Sequence, residues 1–260
     1  MEKKAYIYLI NNNIVIVEND VDAIKHHHHA IKIVINLIND SEVLFNGKVV
    51  KQNTIIFNSD KIHSFKSLSN PIIFLLINPE SEIGYSIRKK YLENNDSFFF
   101  DFNYDSHHIS HFNDLLSEPQ SRLYVQHFYN DIIHCICGKT LDSISIDKRI
   151  EEIFKKIKLL EDKKLPVKEL ASQVFLSESR FAHLFKEETK IPVRQYLAWL
   201  RLQDALKMIV RGLSFTDAAI ESGFTDLPHL HKTFKHFFGV KLSEYFKNSR
   251  LIQVFDYNSV

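Results

Sequence analysis

The stretch GFTDLPHLHKTFKHFFG, residues 223–239, combines an apolar stripe with five imidazole or ammonium side chains in seventeen positions. Asp226 is a residue type that caps helices, and Gly239 is one that ends them, so the stretch predicts a helix over residues 227–238. Its apolar residues recur at helical spacing, which indicates one buried face. The other face carries His and Lys, which suit phosphates and base edges.

This helix is the second member of a predicted helix pair, and a similar pair precedes it. In the later pair Ser214 caps FTDAAIES, and Gly223 turns the chain before the basic helix. In the earlier pair Pro166 opens VKELASQV, and Ser177 caps ESRFAHLFKEET. Both pairs have the order of a helix, a tight turn and a second helix, with local capping signals at each start.

One long helix is predicted between the two pairs. The segment VRQYLAWLRLQDALKMIVRG follows Pro192 and ends at Gly212. A helix of that length spans about 30 Å. One turn of B-DNA spans roughly 34 Å, so second helices attached near its two ends would enter successive major grooves.

Two blocks of this half carry a family resemblance: LPVKELASQVFLSESRFAHLFKEETKIPVRQYLAWLRLQDALKMI and DAAIESGFTDLPHLHKTFKHFFGVKLSEY. Residues 166–248 resemble the DNA-binding domain of the AraC/XylS family of bacterial transcription regulators. The resemblance implies an all-α domain with two helix-turn-helix motifs, whose second helices contact DNA. The corresponding positions and the outward face of the same helices are Ser179, Arg180, Ala182, His183, Lys186, Leu227, Pro228, His231, Lys232 and Lys235.

The chain also departs from the family pattern. Lys190 stands where a glycine usually ends the first recognition helix, and Leu242 stands where a proline usually opens the last helix. Ala182, His183, Leu227 and His231 replace typical arginines or glutamines. These departures bear on the base preference more than on the fold.

The first half of the chain predicts a different class of structure. Short β-branched blocks (AYIYLI, NIVIVE, AIKIVINLI, SEVLF, NTIIFN and IIFLLI) are separated by polar turn residues, which favours a small barrel or sandwich. Residues 1–147 contain 13 basic and 18 acidic side chains, whereas residues 148–260 contain 20 and 14. The fold class is therefore α+β multidomain, with domains at 1–144 and 145–260 and a phosphate-bearing partner for the second.

The β-rich half more loosely resembles the cupin-like sensor domain of many family members. The resemblance rests on HHHHAIKIVINL, NTIIFNSDKIHSF and FLLINPESEIGYSI. Since cupin enzymes hold a metal by histidines of such strands, His26, His28 and His63 are candidate ligands. No carboxylate ligand stands at a fixed offset from these histidines, and four adjacent histidines on a strand cannot all point inward. No cofactor is therefore expected, and we interpret the histidine run as part of a metal-free barrel or as a solvated edge.

These patterns predict a DNA-binding transcription regulator rather than an enzyme. Its expected partners are double-stranded promoter DNA, RNA polymerase and a small-molecule effector, with activation as the commoner mode. A second copy is expected to dimerise through a helix at residues 119–138. With two cysteines and no membrane-length apolar run, we expect a reduced, cytoplasmic protein without membrane contact. His107, His108 and His111 are expected on the surface. The alternative function for the chain is a metal-dependent cupin enzyme with an accessory helical domain.

Overall fold

The computed structural model of the chain contains two compact units. The residues that it describes are 5–10, 13–18, 21–26, 29–36, 43–67, 71–118, 120–138, 146–159, 166–243 and 246. One unit comprises residues 1–142 together with 234–260, and the other comprises residues 143–233. The first break lies beside the domain boundary predicted at residues 144 and 145. The second break falls inside the last long helix, so residues 234–260 are grouped with the β-rich unit.

Two antiparallel sheets form the β-rich unit. The strands are β1 (Ala5–Ile10), β2 (Asn13–Glu18), β3 (Val21–His26), β4 (Ile31–Ile35), β5 (Val43–Phe45), β6 (Lys48–Val50), β7 (Thr54–Phe57), β8 (His63–Ser67), β9 (Ile72–Ile77) and β10 (Ser97–Phe100). One sheet has the order β1-β2-β9-β4-β7-β10, and the other has β3-β8-β5-β6. All six predicted apolar blocks contain strands, which confirms a β-rich first half with two sheets.

Helices cover one face of the larger sheet. They are α1 (Glu82–Ile87), which continues as a π-helical turn over Arg88–Leu92, α2 (Ser106–Ser117) and α3 (Arg122–Cys137). Alternate residues of the central strands pack against these helices in one apolar core, which includes Val15, Ile33 and Leu75 from the sheet and Phe128 and Ile132 from α3. Strands β2, β4, β7 and β9 are buried on both faces, so their residues are mostly apolar rather than alternating between apolar and polar.

A buried amide ties the sheet to its helical cover. Asn13 is 3% exposed, and its Nδ2 donates to the Tyr129 hydroxyl at 2.9 Å. The Asn13 Oδ1 accepts from the Asn78 backbone N–H, also at 2.9 Å. Because β2, α3 and the end of β9 meet at this one side chain, their register is specified by polar as well as apolar contacts.

The second unit is helical. Its helices are α4 (Lys148–Leu159), α5 (Val167–Ser172), α6 (Glu178–Thr189), α7 (Val193–Val210) and α8 (Phe215–Glu221), and α9 (Leu227–Phe238) begins in it. An aromatic cluster joins three of them, since the Phe185 ring lies 5.7 Å from that of Phe154 and 5.5 Å from that of Tyr196. None of the helices in the described ranges is both long and apolar enough to cross a lipid bilayer.

The predicted helix ends are confirmed by their capping geometry. Ser177 and Ser214 accept from the backbone N–H three residues ahead, and Asp226 does the same for His229 at 2.7 Å. Gly223 and Gly239 have φ of 91° and 73°, the left-handed region that suits glycine. The connecting helix α7 has 18 residues, slightly shorter than predicted, and spans about 27 Å.

Lys190 occupies a position that glycine would hold with less strain. It is the C-cap of α6 and has φ of 65°, where its Cβ crowds the backbone. We expect Lys190→Gly to raise the free energy of unfolding by about 0.5–1 kcal/mol, measured by urea denaturation. Lys190→Ala is the control, because it also removes the amine that donates to the Glu187 carbonyl at 2.7 Å but keeps the strain. Equal stability of the two variants would show that backbone strain is not the cause.

Candidate nucleic-acid interface

Helix α6 separates a buried face from a polar one. Phe181, Leu184 and Phe185 are buried on one side, as the helical spacing predicts. The predicted contact residues on the opposite side are exposed at Ser179, Arg180, His183 and Lys186, whereas Ala182 is half-buried. Burial of one face holds the helix in place, so the exposed face is available to a partner.

Helix α9 also has one buried face and one exposed polar face. Leu230 and Thr233 are buried, while Pro228, Lys232 and Lys235 are exposed. Leu227 and His231, also predicted as contacts, are half-buried. The His231 ring lies 6.4 Å from the Phe215 ring, and its Nε2 is buried with no hydrogen-bond partner among the described residues.

The two helices present matching side chains at the same distance from their caps. Six positions after Ser177 and Asp226 stand His183 and Lys232, and nine positions after them stand Lys186 and Lys235. Five positions after each cap is a half-buried residue, which is Ala182 in α6 and His231 in α9. Both motifs therefore offer basic groups at equivalent helical positions. This arrangement suits a partner whose surface carries phosphates at a regular repeat.

An open groove of about 690 Å³ lies beside α6. Its lining residues are Val167, Glu178, Ser179, Ala182, His183, Lys186, Pro192, Val193 and Arg194. Four of the predicted contact residues thus line one concave surface together with the start of α7.

Arg194 is a cation of this groove that sequence analysis missed. Its side chain is 81% exposed, and Nη2 lies 3.2 Å from Glu178 Oε1. His183 Nδ1 similarly lies 3.6 Å from Glu187 Oε2. Both pairs are exposed and contribute little to stability, so Arg194 and His183 can exchange these carboxylates for phosphates. The signal that could have found Arg194 is its place two residues after Pro192, in the first turn of α7.

The candidate metal ligands of the β-rich unit are brought together only in part. His26 and His63 are paired across β3 and β8, both are buried, and their rings lie 4.4 Å apart. His63 also stacks on Phe57 at 5.2 Å, and its Nδ1 lies 2.9 Å from the Lys61 carbonyl oxygen. His28 lies outside the described residues. In the part of the chain that the structure describes, no third ligating side chain completes a set around this pair.

The interpretation of the histidine run as a solvated edge is wrong for the two members that are described. His26 is 5% exposed and His29 is 0% exposed. His29 Nε2 lies 3.1 Å from Glu80 Oε2, which accounts for a polar ring inside the unit. The pairing of β3 with β8 shifts its register between Ala23 and His26.

A buried cation lies inside the β-rich unit. Lys32 on β4 is 6% exposed, and its Nζ lies 4.2 Å from the centroid of the Phe74 ring and 5.8 Å from that of Phe65. Burial lowers the pKa of Lys32 to about 7, although the nearby carboxylate of Glu18 acts in the opposite direction. A lysine in these surroundings suits an anionic group that enters the unit.

Comparisons with known proteins agree with this architecture. Residues 170–248 match the family model described as a helix-turn-helix domain. The probable transcriptional regulator LumQ of Photobacterium leiognathi is 24% identical over 236 residues, which cover 85% of this chain and 90% of LumQ.

Solved structures of ToxT from Vibrio cholerae have the same fold. A single-residue variant of ToxT in the apo form aligns with a TM-score of 0.57 and 16% identity over 92% of this chain and 98% of ToxT. Wild-type ToxT with a bound unsaturated fatty acid aligns with a TM-score of 0.55 and 15% identity over 93% and 97%. The likeness confirms a two-domain arrangement of a β-rich region followed by a helical one.

The fold and the two capped helix pairs define a helix-turn-helix transcription regulator. The helix-turn-helix domain is of the AraC type, and over most of its length the chain is similar to a probable transcriptional regulator.

Proposed function

We propose that the chain binds promoter DNA sequence-specifically through α6 and α9 and activates transcription by recruiting RNA polymerase in the cytoplasm. The observation that carries the proposal is the repeated placement of exposed basic residues at equal distances from two helix caps. Helices with one anchored face and one basic face are the elements that enter a major groove. The residues predicted as contacts, with Arg194 added, form the proposed surface.

Affinity and specificity come from different members of this surface. Lys186, Lys235 and Arg194 contact phosphates, which supplies affinity that falls steeply as salt rises. Arg180, His183 and Lys232 reach base edges and select sequence. The length of α7, about 27 Å, holds the two motifs near the spacing of successive major grooves on one DNA face.

Selection from random double-stranded DNA tests this proposal. The full chain is incubated with the pool, and the bound molecules are sequenced. We expect enrichment of two half-sites whose centres lie about 10 base pairs apart. Retention of unselected DNA with no enriched sequence would contradict sequence-specific binding.

We further propose that the β-rich unit binds a small effector with an apolar body and a carboxylate. ToxT has been solved with an unsaturated fatty acid and with a naphthalenyl butenoic acid, and both of these ligands combine these two features. The ammonium of Lys32 among Phe65 and Phe74 supports the same ligand chemistry here. A homodimer through α3, where Leu123 is 71% exposed, completes the proposed regulator.

Replacement of Lys32 by methionine tests whether the Lys32 amine is buried in the folded chain. Between about pH 7 and 10.5 the unfolded chain carries a proton on Lys32 that the folded chain lacks, so wild-type stability rises with pH across that window. We expect Lys32→Met to lose this rise and to be the more stable protein near pH 7, as measured by thermal unfolding. Parallel pH profiles of the two proteins would contradict burial of the amine.

The same variant tests the effector class. We expect Lys32→Met to bind an unsaturated fatty acid at least about tenfold more weakly than wild type in calorimetry, because a charge-assisted hydrogen bond is lost. Lys66→Met is the matched control, since Lys66 pairs with Asp22 on the exposed surface of the same unit. Equal weakening in both variants would contradict a role for Lys32.

A further inference from the structure

Two histidines and an aspartate meet between helices α2 and α3. His107 and His111 stand one turn apart on α2, and their ring centroids lie 4.0 Å from each other. One ligating atom from each of His107, His111 and Asp131 lies within 4.8 Å of the other two. All three side chains are at least partly exposed. We refer to these three residues as the α2–α3 cluster.

The surrounding contacts hold the cluster in position. Asp105 caps α2 by accepting from the backbone N–H groups of His107 and His108. The His108 ring lies between the two helices, with Nδ1 2.6 Å from Asp105 Oδ1 and Nε2 3.4 Å from Cys135 Sγ. The His111 ring packs against the Tyr124 ring of α3 at 4.8 Å. The helices that carry the three ligands are therefore joined on both sides of the cluster.

The distances require only a small closure around an ion. Zinc–nitrogen bonds are about 2.0–2.1 Å long, so neighbouring ligand atoms of a tetrahedral site lie roughly 3.3 Å apart. The cluster has to contract by about 1.5 Å at most, which rotation of the exposed His107 side chain provides. Histidines at positions i and i+4 of a helix are a common pair of zinc ligands.

We propose that the α2–α3 cluster is a binding site for a divalent transition-metal ion of the zinc type, with water completing the coordination. Two imidazoles and one carboxylate favour such an ion over Mg²⁺ or Ca²⁺, which prefer oxygen ligands throughout. The bound ion crosslinks α2 to α3, and the site is independent of the proposed DNA surface and effector.

Calorimetric titration of the full chain with Zn²⁺ tests the site. The variants are His107→Gln, His111→Gln and Asp131→Asn, and the matched control is His134→Gln, an exposed histidine on α3. We expect wild type and the control to bind one equivalent of Zn²⁺. Each of the three variants should bind it at least about tenfold more weakly. Mg²⁺ is expected to bind none of the proteins measurably.

Thermal unfolding distinguishes loss of the site from loss of the fold. In EDTA the three variants are expected to melt close to wild type, and Zn²⁺ is expected to raise the melting temperature only of wild type and the control. Unchanged Zn²⁺ affinity in all three variants would place the binding elsewhere, such as in the histidine run at residues 26–29, and overturn the proposal. Failure of wild type to bind Zn²⁺ would also overturn it.

Discussion

Phe185→Ala is expected to lower the free energy of unfolding of the helix-turn-helix domain by about 3–5 kcal/mol. The Phe185 side chain is fully buried, and its ring lies within 6 Å of the rings of Phe154, Phe181 and Tyr196. Alanine leaves a cavity where α4, α6 and α7 meet, since neighbouring aromatic rings cannot collapse to fill it. Chemical denaturation measures the loss, and DNA binding should fall with the folded population.

The matched control is the same substitution at Phe175. This phenylalanine stands in the turn of the first motif with 96% of its surface exposed and φ of 57°. Removal of an exposed ring that has no core contacts should change the stability by less than about 0.5 kcal/mol. A loss at Phe175 as large as that at Phe185 would mean that the aromatic cluster is not what holds α6.

Joint replacement of Arg180 and Lys232 by alanine has the largest expected effect on function. Each residue is exposed on one of the two proposed recognition helices, and each contact is worth about 1–3 kcal/mol if it is made to a base. Because the residues lie on separate helices, the losses should add to about 2–6 kcal/mol. Mobility-shift titration on a selected sequence measures the loss.

Lys156→Ala is the control for this pair, since Lys156 is an exposed lysine on α4. It should leave the affinity within about threefold of wild type. The salt dependence gives a second measure. Removal of a lysine that contacts phosphate should reduce the slope of log affinity against log salt by about 1. Wild-type affinity for both single variants would contradict the placement of the recognition surface on α6 and α9.

Sequence analysis predicted the helical half closely. Ser177, Ser214 and Asp226 cap the helices where expected, because a capping bond joins residues only three apart. It missed Arg194, since nothing in the local pattern indicates that the start of α7 borders the groove beside α6. The DNA contacts assigned to Arg194 and to the exposed residues of α6 and α9 stay predictions.

In the β-rich half, the apolar blocks predicted strands but not their pairing. β3, β6, β8 and β10 lie outside the predicted blocks, because short strands with polar or aromatic residues lack a clear period. The burial of His26 and His29 was also missed, since His26 pairs with His63 and His29 contacts Glu80, both of which lie far along the chain. Strand register is decided by partners that lie far along the chain.

The amino-acid sequence by itself determined the order of helices, their caps and turns and the basic faces of the two motifs. Those features depend on side chains and backbone groups that are neighbours in the chain. Only the tertiary structure decided that Lys32 lies against Phe65 and Phe74, that His26 meets His63, and that His107 and His111 face Asp131. Each of these contacts joins segments that come together only when sheets and helices pack, and burial then sets their chemistry.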